Sequence, residues 1–525
     1  MSTLTKPQLD ENSSATASMD PGQRQDLLKT IFGRTKKSPF VWALPQNEGS
    51  TAHLQIQEIH QQFWAGDNLV LVEKFTDQID EAIYKLAKTV YLGDVDKDRK
   101  QHDSSSNRLL NQILAVELPL WMALNRFGEL TNGNALVNQF EQSVGDTLDS
   151  DGWPLAEVVK DLGMLIASWS RCYRLLDAVG YEIDPAASNQ LNWLVYQIAR
   201  LKRADGSLMF GRGAEFESNA FRKSIVENWS EFESLPFQIK RSTCQKIRFP
   251  STSSISEWAQ AGVMRQGWLK NDNKVAFLFD QRRISMEVDN GRTLISGDCT
   301  PRLAVDGKPV ALDSEIAVSC FLRFDFGDYV ELELEFGEYS IARQMLLLNQ
   351  DELLMVNDVL HGPAAKIDYQ CGYPIDSRNG FVRETENNEF YLRCDDDFTL
   401  VLPLFMPEWK TENFNGTLAL EDEQIVVGQQ INGQGMSTPL VFDLNKNRST
   451  LPRTWRRLTV AEQMKTVGQD VAVAYRVQLG SDQWLFYRTI RPKGNRTFLG
   501  QNYADDFLVA KIELDGTIKP LLEVE

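Results

Sequence analysis

The chain contains only four histidines (His53, His60, His102 and His361), too few and too scattered to assemble a metal-ligand cluster by spacing. Its six cysteines (Cys172, Cys244, Cys299, Cys320, Cys371, Cys394) show no C-x-x-C pair, so they read as reduced, mostly buried thiols rather than a disulfide framework. No run approaches the ~18 apolar residues of a membrane-spanning helix. The first twenty residues, MSTLTKPQLDENSSATASMD, lack the apolar core of a secretory signal, and a cytoplasmic protein is the expectation. Walker loop, Rossmann glycine fingerprint and G-x-S-x-G elbow are missing, so no nucleotide, nicotinamide or other cofactor is expected. Positive charge is also short: 55 Lys and Arg against 73 Asp and Glu give a formal net charge of −18. That balance excludes non-specific binding to nucleic acid or to an anionic membrane.

What the chain does have is length and a change of pattern. Its 525 residues exceed one hydrophobic core, so two domains are expected. Residues 1–47 read as a mostly disordered segment, and 48–232 as helical, with apolar faces recurring at Leu54–Phe63, Leu69–Tyr91, Ser106–Phe127, Asn134–Leu148, Leu155–Val179, Ala187–Leu201 and within Glu217–Phe232. Residues 233–254 read as a linker and 255–525 as a β-sandwich. Val275–Phe279 has the apolar run of a strand buried on both faces. Ile284, Met286 and Val288 alternate with polar residues, as do Val330, Leu332, Leu334 and Phe336 with Glu331, Glu333 and Glu335. Asn290-Gly291 predicts a type I′ hairpin turn. Further turns are expected at Asp306-Gly307, Asn379-Gly380, Asn415-Gly416, Asn432-Gly433 and Asp515-Gly516.

Two segments carry a resemblance. Arg265-Gln266-Gly267-Trp268, the strand ending Leu278-Phe279-Asp280, and Asn290-Gly291-Arg292-Thr293-Leu294 are similar to the opening of the β-domain of heparinase II/III-type polysaccharide lyases. Arg343 to Leu348, followed by Asp351 to Asp358, resembles that family's R-x-x-L-x-x-x-x-D-x-L-L-x-x-D strand pair. The resemblance implies a multidomain α+β fold: an N-terminal all-α domain, an incomplete α/α toroid, followed by a C-terminal antiparallel β-sandwich. It also implies an acidic, uronate-containing polysaccharide as partner and β-elimination as the reaction.

Such a lyase must neutralise a carboxylate, abstract the C5 proton and protonate the leaving oxygen. The family's Asn-His pair falls on Asn107-Arg108; an arginine there can clamp a carboxylate but cannot act as a base. The Asp-Gly loop that precedes the catalytic Tyr has two counterparts, Asp151-Gly152-Trp153 and Asp205-Gly206-Ser207, and neither is followed closely by Tyr. Tyr173 is the nearest phenol and the candidate base, with Arg171 beside it and Trp153 as a sugar-stacking candidate. The family's H-x-H-x-D loop is replaced by Asp280-Gln281-Arg282-Arg283, so no metal is expected. Residues 452–496 hold nine Lys and Arg against three acids, with Trp455, Tyr475, Trp484 and Tyr487 among them. That segment either binds an anionic glycan or pairs with the protein's own carboxylates, and the surplus of acids favours the second. Three functions follow: a uronate lyase with rearranged residues, a lyase-like protein that has lost elimination and binds a glycan or a protein, or a structural role. The altered motifs favour the second.

Overall fold

The computed structural model describes residues 108, 112, 116, 117, 120, 133–178, 180–211 and 251–525, except 270, 396, 413 and 493. Described residues up to 195 belong to one compact unit, and 196–210 with 251–525 to a second.

In the first unit, α1 (Gly133–Gly145) is followed by a 3₁₀ turn (Ala156–Asp161), α2 (Leu162–Ala178) and α3 (Pro185–Leu201), whose last turn belongs to the second unit. The expected start of a helix at Leu155 is a 3₁₀ turn because Pro154 cannot donate a backbone N–H and Leu155 holds an extended ψ of 137°. Val137, Phe140 and Val144 bury one stripe of α1, and Leu191, Leu194, Val195 and Ile198 bury one of α3. No helix among the described residues is long and apolar enough to cross a membrane.

The expected all-α toroid is not the architecture found. The described residues are mostly antiparallel strand, and their helices are α1 to α3 with short turns. An apolar stripe fixes one buried face per helix and says nothing of ring closure, so periodicity never carried a toroid. The expected helices at Leu54–Phe63, Leu69–Tyr91 and Glu217–Phe232 lie outside the described residues, as does nearly all of Ser106–Phe127.

Nor is the second unit a plain two-layer sandwich. It has four antiparallel sheets, of five, twelve, five and four strands. Period-2 alternation sends successive side chains into different cores. From the twelve-stranded sheet, Met345, Leu347, Leu354 and Val356 enter a core shared with Val275, Phe277, Met286 and Val288 of the first sheet. Leu346, Leu348, Leu353 and Met355 enter a second core with Trp455, Val473, Tyr475, Trp484 and Phe486 of the third sheet. That sheet's other face sends Ala472, Ala474, Leu485 and Tyr487 against Val460, Phe498 and Tyr503. Four sheets are thus stacked around three cores.

The organising strand is Leu353–Pro374, 22 residues long. Its first half lies between Tyr339–Leu348 and Leu440–Asp443, and its second half between Gln424–Ser437 and Arg302–Val305. A register shift between His361 and Ala365 separates the halves. Asn432-Gly433 lies inside Gln424–Ser437 opposite Lys366 and Ala365, so this pair is strand and not turn. At Asn290-Gly291 only Gly291 has positive φ (92°), whereas a type I′ turn needs it at both positions. Two successive positive φ values, as a type I′ turn needs, are found at Asp306-Gly307 (50° and 76°) and Asp422-Glu423 (46° and 60°), among other pairs.

No disulfide joins the described cysteines. Cys299 and Cys371 are buried, and burial pushes their thiols up to about 12 and about 11. Since the thiolate is the nucleophile, native protein at pH 8 will leave both unlabelled by a maleimide, and denaturant will expose both. Peptide mass spectrometry checks this, and labelling of either in the native state refutes it.

Candidate functional site

The residues that carry the sequence resemblance are fastened into the β-unit. Arg343 and Asp358 are cross-strand partners and each side chain is fully buried. Arg343 binds both Asp358 carboxylate oxygens and donates two bonds of 3.1 Å to the Cys299 carbonyl, and Tyr369 donates to Asp358. Arg265 donates to the Ala199 carbonyl (2.6 Å) and the Arg200 carbonyl (3.3 Å), closing the C-terminus of α3, while its guanidinium lies 5.2 Å from the centre of the Trp268 ring. Burial brings the Arg265 guanidinium down to about 10. Arg292 donates to the carbonyls of Leu392 (3.0 Å) and Asp397 (3.2 Å). These residues hold backbone and strands together.

A second surprise lies on the first sheet. Arg265, Lys274 and Asp289 form one cross-strand row and Glu287 lies in the next, and all four are buried. Lys274 pairs with Asp289 at 3.2 Å. Glu287 takes two bonds from Arg203, one from the Phe210 N–H (2.9 Å) and one from the Ser296 hydroxyl (3.1 Å). The turn after α3 is thereby pinned to the sheet.

That turn contains Asp205-Gly206, and it repeats the design of Asp151-Gly152. In one, Asp149 N–H bonds the Trp153 carbonyl, Gly152 N–H the Asp149 carbonyl, and Leu155 N–H the Thr147 carbonyl. In the other, Arg203 bonds Ser207, Gly206 bonds Arg203, and Met209 bonds Leu201 in the same way. Gly152 and Gly206 hold φ of 71° and 100°, open to glycine without strain.

Of the residues expected to bind or cleave a uronate, Asn107 lies outside the described residues. Arg108 forms an ion pair with Glu157 and donates 2.9 Å to the Asp146 carbonyl, so its guanidinium grips the Asp151-Gly152 loop. Trp153 is only 1% exposed, with its backbone N–H donating to the Asp149 carboxylate (2.7 Å), and its ring is core. Tyr173 and Arg171 both lie on α2, and Tyr173 is half-buried. Structure therefore ties Arg108, whose side chain is 37% exposed, to the loop of Trp153, and the Trp153 ring itself is buried. In place of an H-x-H-x-D loop, Gln281 and Arg282 make a tight turn with φ of 50° and 60°, closed by the Arg283 N–H to Asp280 carbonyl bond of 2.8 Å. No group of three or more His, Cys, Asp and Glu among the described residues could hold a metal.

In the basic segment, Arg453 pairs with Glu389, Arg488 with Glu331, Arg491 with Asp470 and Arg496 with Glu462. Four of its cations are thus matched by the protein's own carboxylates. His361 contacts the Ile490 carbonyl through Nδ1 at 2.6 Å, and burial, with Arg488 nearby, lowers its basicity.

Open space lies elsewhere, beside the far half of the long strand. A cavity of about 550 Å³ spreads over Arg302, Asp368, Gln370 and Thr417, and another of about 420 Å³ over Asn432, Ser437, Gln469 and Asp470. They share Phe414, Asn415, Gln429 and Gln430 and so adjoin. Register explains the first. Arg302, Gln370, Gly428 and Thr417 are consecutive cross-strand partners, as are Ala304, Asp368 and Gln430 in the next row of the same face. Ala304 and Gly428 leave a trough between the longer side chains. Gln429 is only 7% exposed, and its Oε1, like Oδ1 of Asp368, has no hydrogen-bond partner among the described residues. Sequence reasoning missed this site because its residues carry no motif and come from four separate stretches.

No family model matches the chain, and no curated protein matches it. Among solved structures, it is similar to a heparinase III gene product, with a TM-score of 0.49 and 10% identity, over 90% of this chain and 78% of that one. The likeness is structural. The periplasmic domain of the Thermotoga maritima YidC gives a TM-score of 0.23 at 12% identity, over 37% of this chain and 87% of that domain.

Proposed function

We propose that this protein binds a glycan and does not cleave uronate polysaccharides by β-elimination. The observation that carries the reading is the state of Arg108. Where the sequence resemblance puts a carboxylate-binding and proton-transferring pair, this guanidinium is spent on Glu157 and the Asp146 carbonyl. An arginine keeps its proton and cannot take one from C5. General acid–base groups typically contribute ~10²–10⁴-fold and must reach the transferred proton. Support for binding comes from the resemblance in sequence to polysaccharide lyases and from the open trough on the twelve-stranded sheet.

The expected result is no unsaturated uronyl product, followed by ultraviolet absorbance, from heparan, chondroitin, hyaluronan, alginate or ulvan-type substrates. Robust turnover abolished by Tyr173→Phe would overturn the reading and make Tyr173 the base. Turnover that survives that change but dies with Arg108→Ala would overturn it too, and would place the base elsewhere.

A further inference from the structure

The trough indicates what kind of glycan. Resting on the binding reading above, we infer that the paired cavities around Gln370, Asn415 and Gln430 accept a linear glycan of neutral sugars, not a uronate chain.

The charge of the walls argues first. Asp368 and Asp470 line the two cavities against a single cation, Arg302. Arg491, which lies near Asp470, is paired with it. A uronate chain laid along this surface sets its carboxylates beside two others, and like charges close together near a surface repel. The net charge of −18 adds to that repulsion at longer range.

Hydrogen-bonding chemistry argues next. Between those charges the lining includes five exposed amides: Gln370, Asn415, Gln430, Asn432 and Gln469. Each amide offers both a donor and an acceptor, which matches a hydroxyl, itself donor and acceptor. Oδ1 of Asp368, on the same face as Gln370 and Gln430, is an acceptor in want of a donor. Hydroxyl groups supply donors and carboxylates do not. Phe414 adjoins both cavities, and its half-buried ring packs over Gly416 against Phe405, 6.0 Å between ring centres, which fixes the Asn415 loop between them.

Shape argues last. Four adjacent strands carry the row from Arg302 to Thr417, a span of about 14 Å at the usual strand spacing. The second cavity continues beyond Asn415 and Gln430 towards Asp470. A trough open along its length suits a chain rather than a single small molecule.

Affinity electrophoresis of the full-length protein in gels containing soluble cellulose ether, mixed-linkage β-glucan, xyloglucan, galactan or mannan, and in parallel heparan, hyaluronan or alginate, tests this. At least one neutral polymer should retard the protein, equally in roughly 50 and 500 mM salt, since no ion pair is screened. The exposed pair Gln370→Ala/Gln430→Ala should weaken that retardation about tenfold or more, the worth of one to two hydrogen bonds. An unchanged melting temperature of the double variant separates lost contacts from lost fold. Retardation by uronate polymers alone, falling steeply with salt, would overturn the neutral-glycan inference and leave the binding reading standing. Neutral binding untouched by the double variant would remove the trough as its site. Failure of every polymer to bind would overturn both.

Discussion

Asp358→Ala will cost the protein about 3–5 kcal/mol of stability, the usual effect of removing one partner from a buried ion pair. Asp358 accepts from both ends of the Arg343 guanidinium and from the Tyr369 hydroxyl, and neither ion reaches solvent. With the carboxylate gone, Arg343 keeps only the Cys299 carbonyl, its contact with the Cys299 and Cys371 sulfurs, and the Tyr373 face 5.7 Å away. None of these carries a compensating charge. The same physics predicts recovery: Arg343→Met/Asp358→Leu/Tyr369→Phe removes the charges and the hydroxyl together and should regain most of the loss, because the buried ions repay little beyond their own desolvation. Denaturant titration, followed by tryptophan fluorescence, measures both. A loss below about 1 kcal/mol for Asp358→Ala would mean that water or another anion reaches Arg343 in the native protein.

Glu287→Ala should free the turn of residues 202–210 at a cost of about 3 kcal/mol. This carboxylate, fully buried, gathers Arg203, the Phe210 N–H and the Ser296 hydroxyl. Its loss leaves Arg203, 15% exposed, without its bidentate partner. The readout is local as well as global. Limited proteolysis under native conditions should gain a cut near Lys202 or Arg203 that the parent lacks, and Glu287→Gln, which keeps an acceptor for the Phe210 N–H, should fall between the two. If Glu287→Ala resists cleavage as well as the parent, the turn is held by its own backbone bonds and the ion pair is secondary.

Strands were the most legible part of this chain, because the period-2 signal is both local and physical. The Glu331, Glu333 and Glu335 ladder reads from the letters alone, and the strand Gly327–Phe336 buries Leu332, Leu334 and Phe336 while exposing Glu333 and Glu335. Arg343 and Asp358 stood out as a spacing shared with a lyase family, but their meaning needed the register that sets them opposite each other. Turn chemistry was less readable. Asn432-Gly433 carries the strongest two-residue hairpin signal, yet it lies in a strand because its partners on Leu353–Pro374 supply the hydrogen bonds a turn would have forgone. Trp153 looked like a sugar platform and is core, since an aromatic's burial depends on what folds over it. The toroid came with the family resemblance and not from any residue, and it did not survive. The trough was invisible for a different reason: strands distant in sequence build it, and no single stretch contains its shape.

The strand Ala472–Leu479 sends Val473, Tyr475, Val477 and Leu479 to one side, and Ala472 and Ala474, then Arg476 and Gln478, to the other. Over Ala472–Tyr475 both sides are apolar, so the usual polar-versus-apolar cue that fixes strand register is absent there, and size takes over the task. A slip by one residue would press Tyr475 into the place of an alanine methyl beside Phe498 and Tyr503, while leaving methyl-sized gaps opposite Trp455. Such a strand works as a ruler with large and small graduations. Length variation among any natural or engineered variants should therefore collect in the reversals at Gly480 and Gly516, and a single-residue insertion between Ala472 and Leu479 should be far less tolerated than one at either glycine.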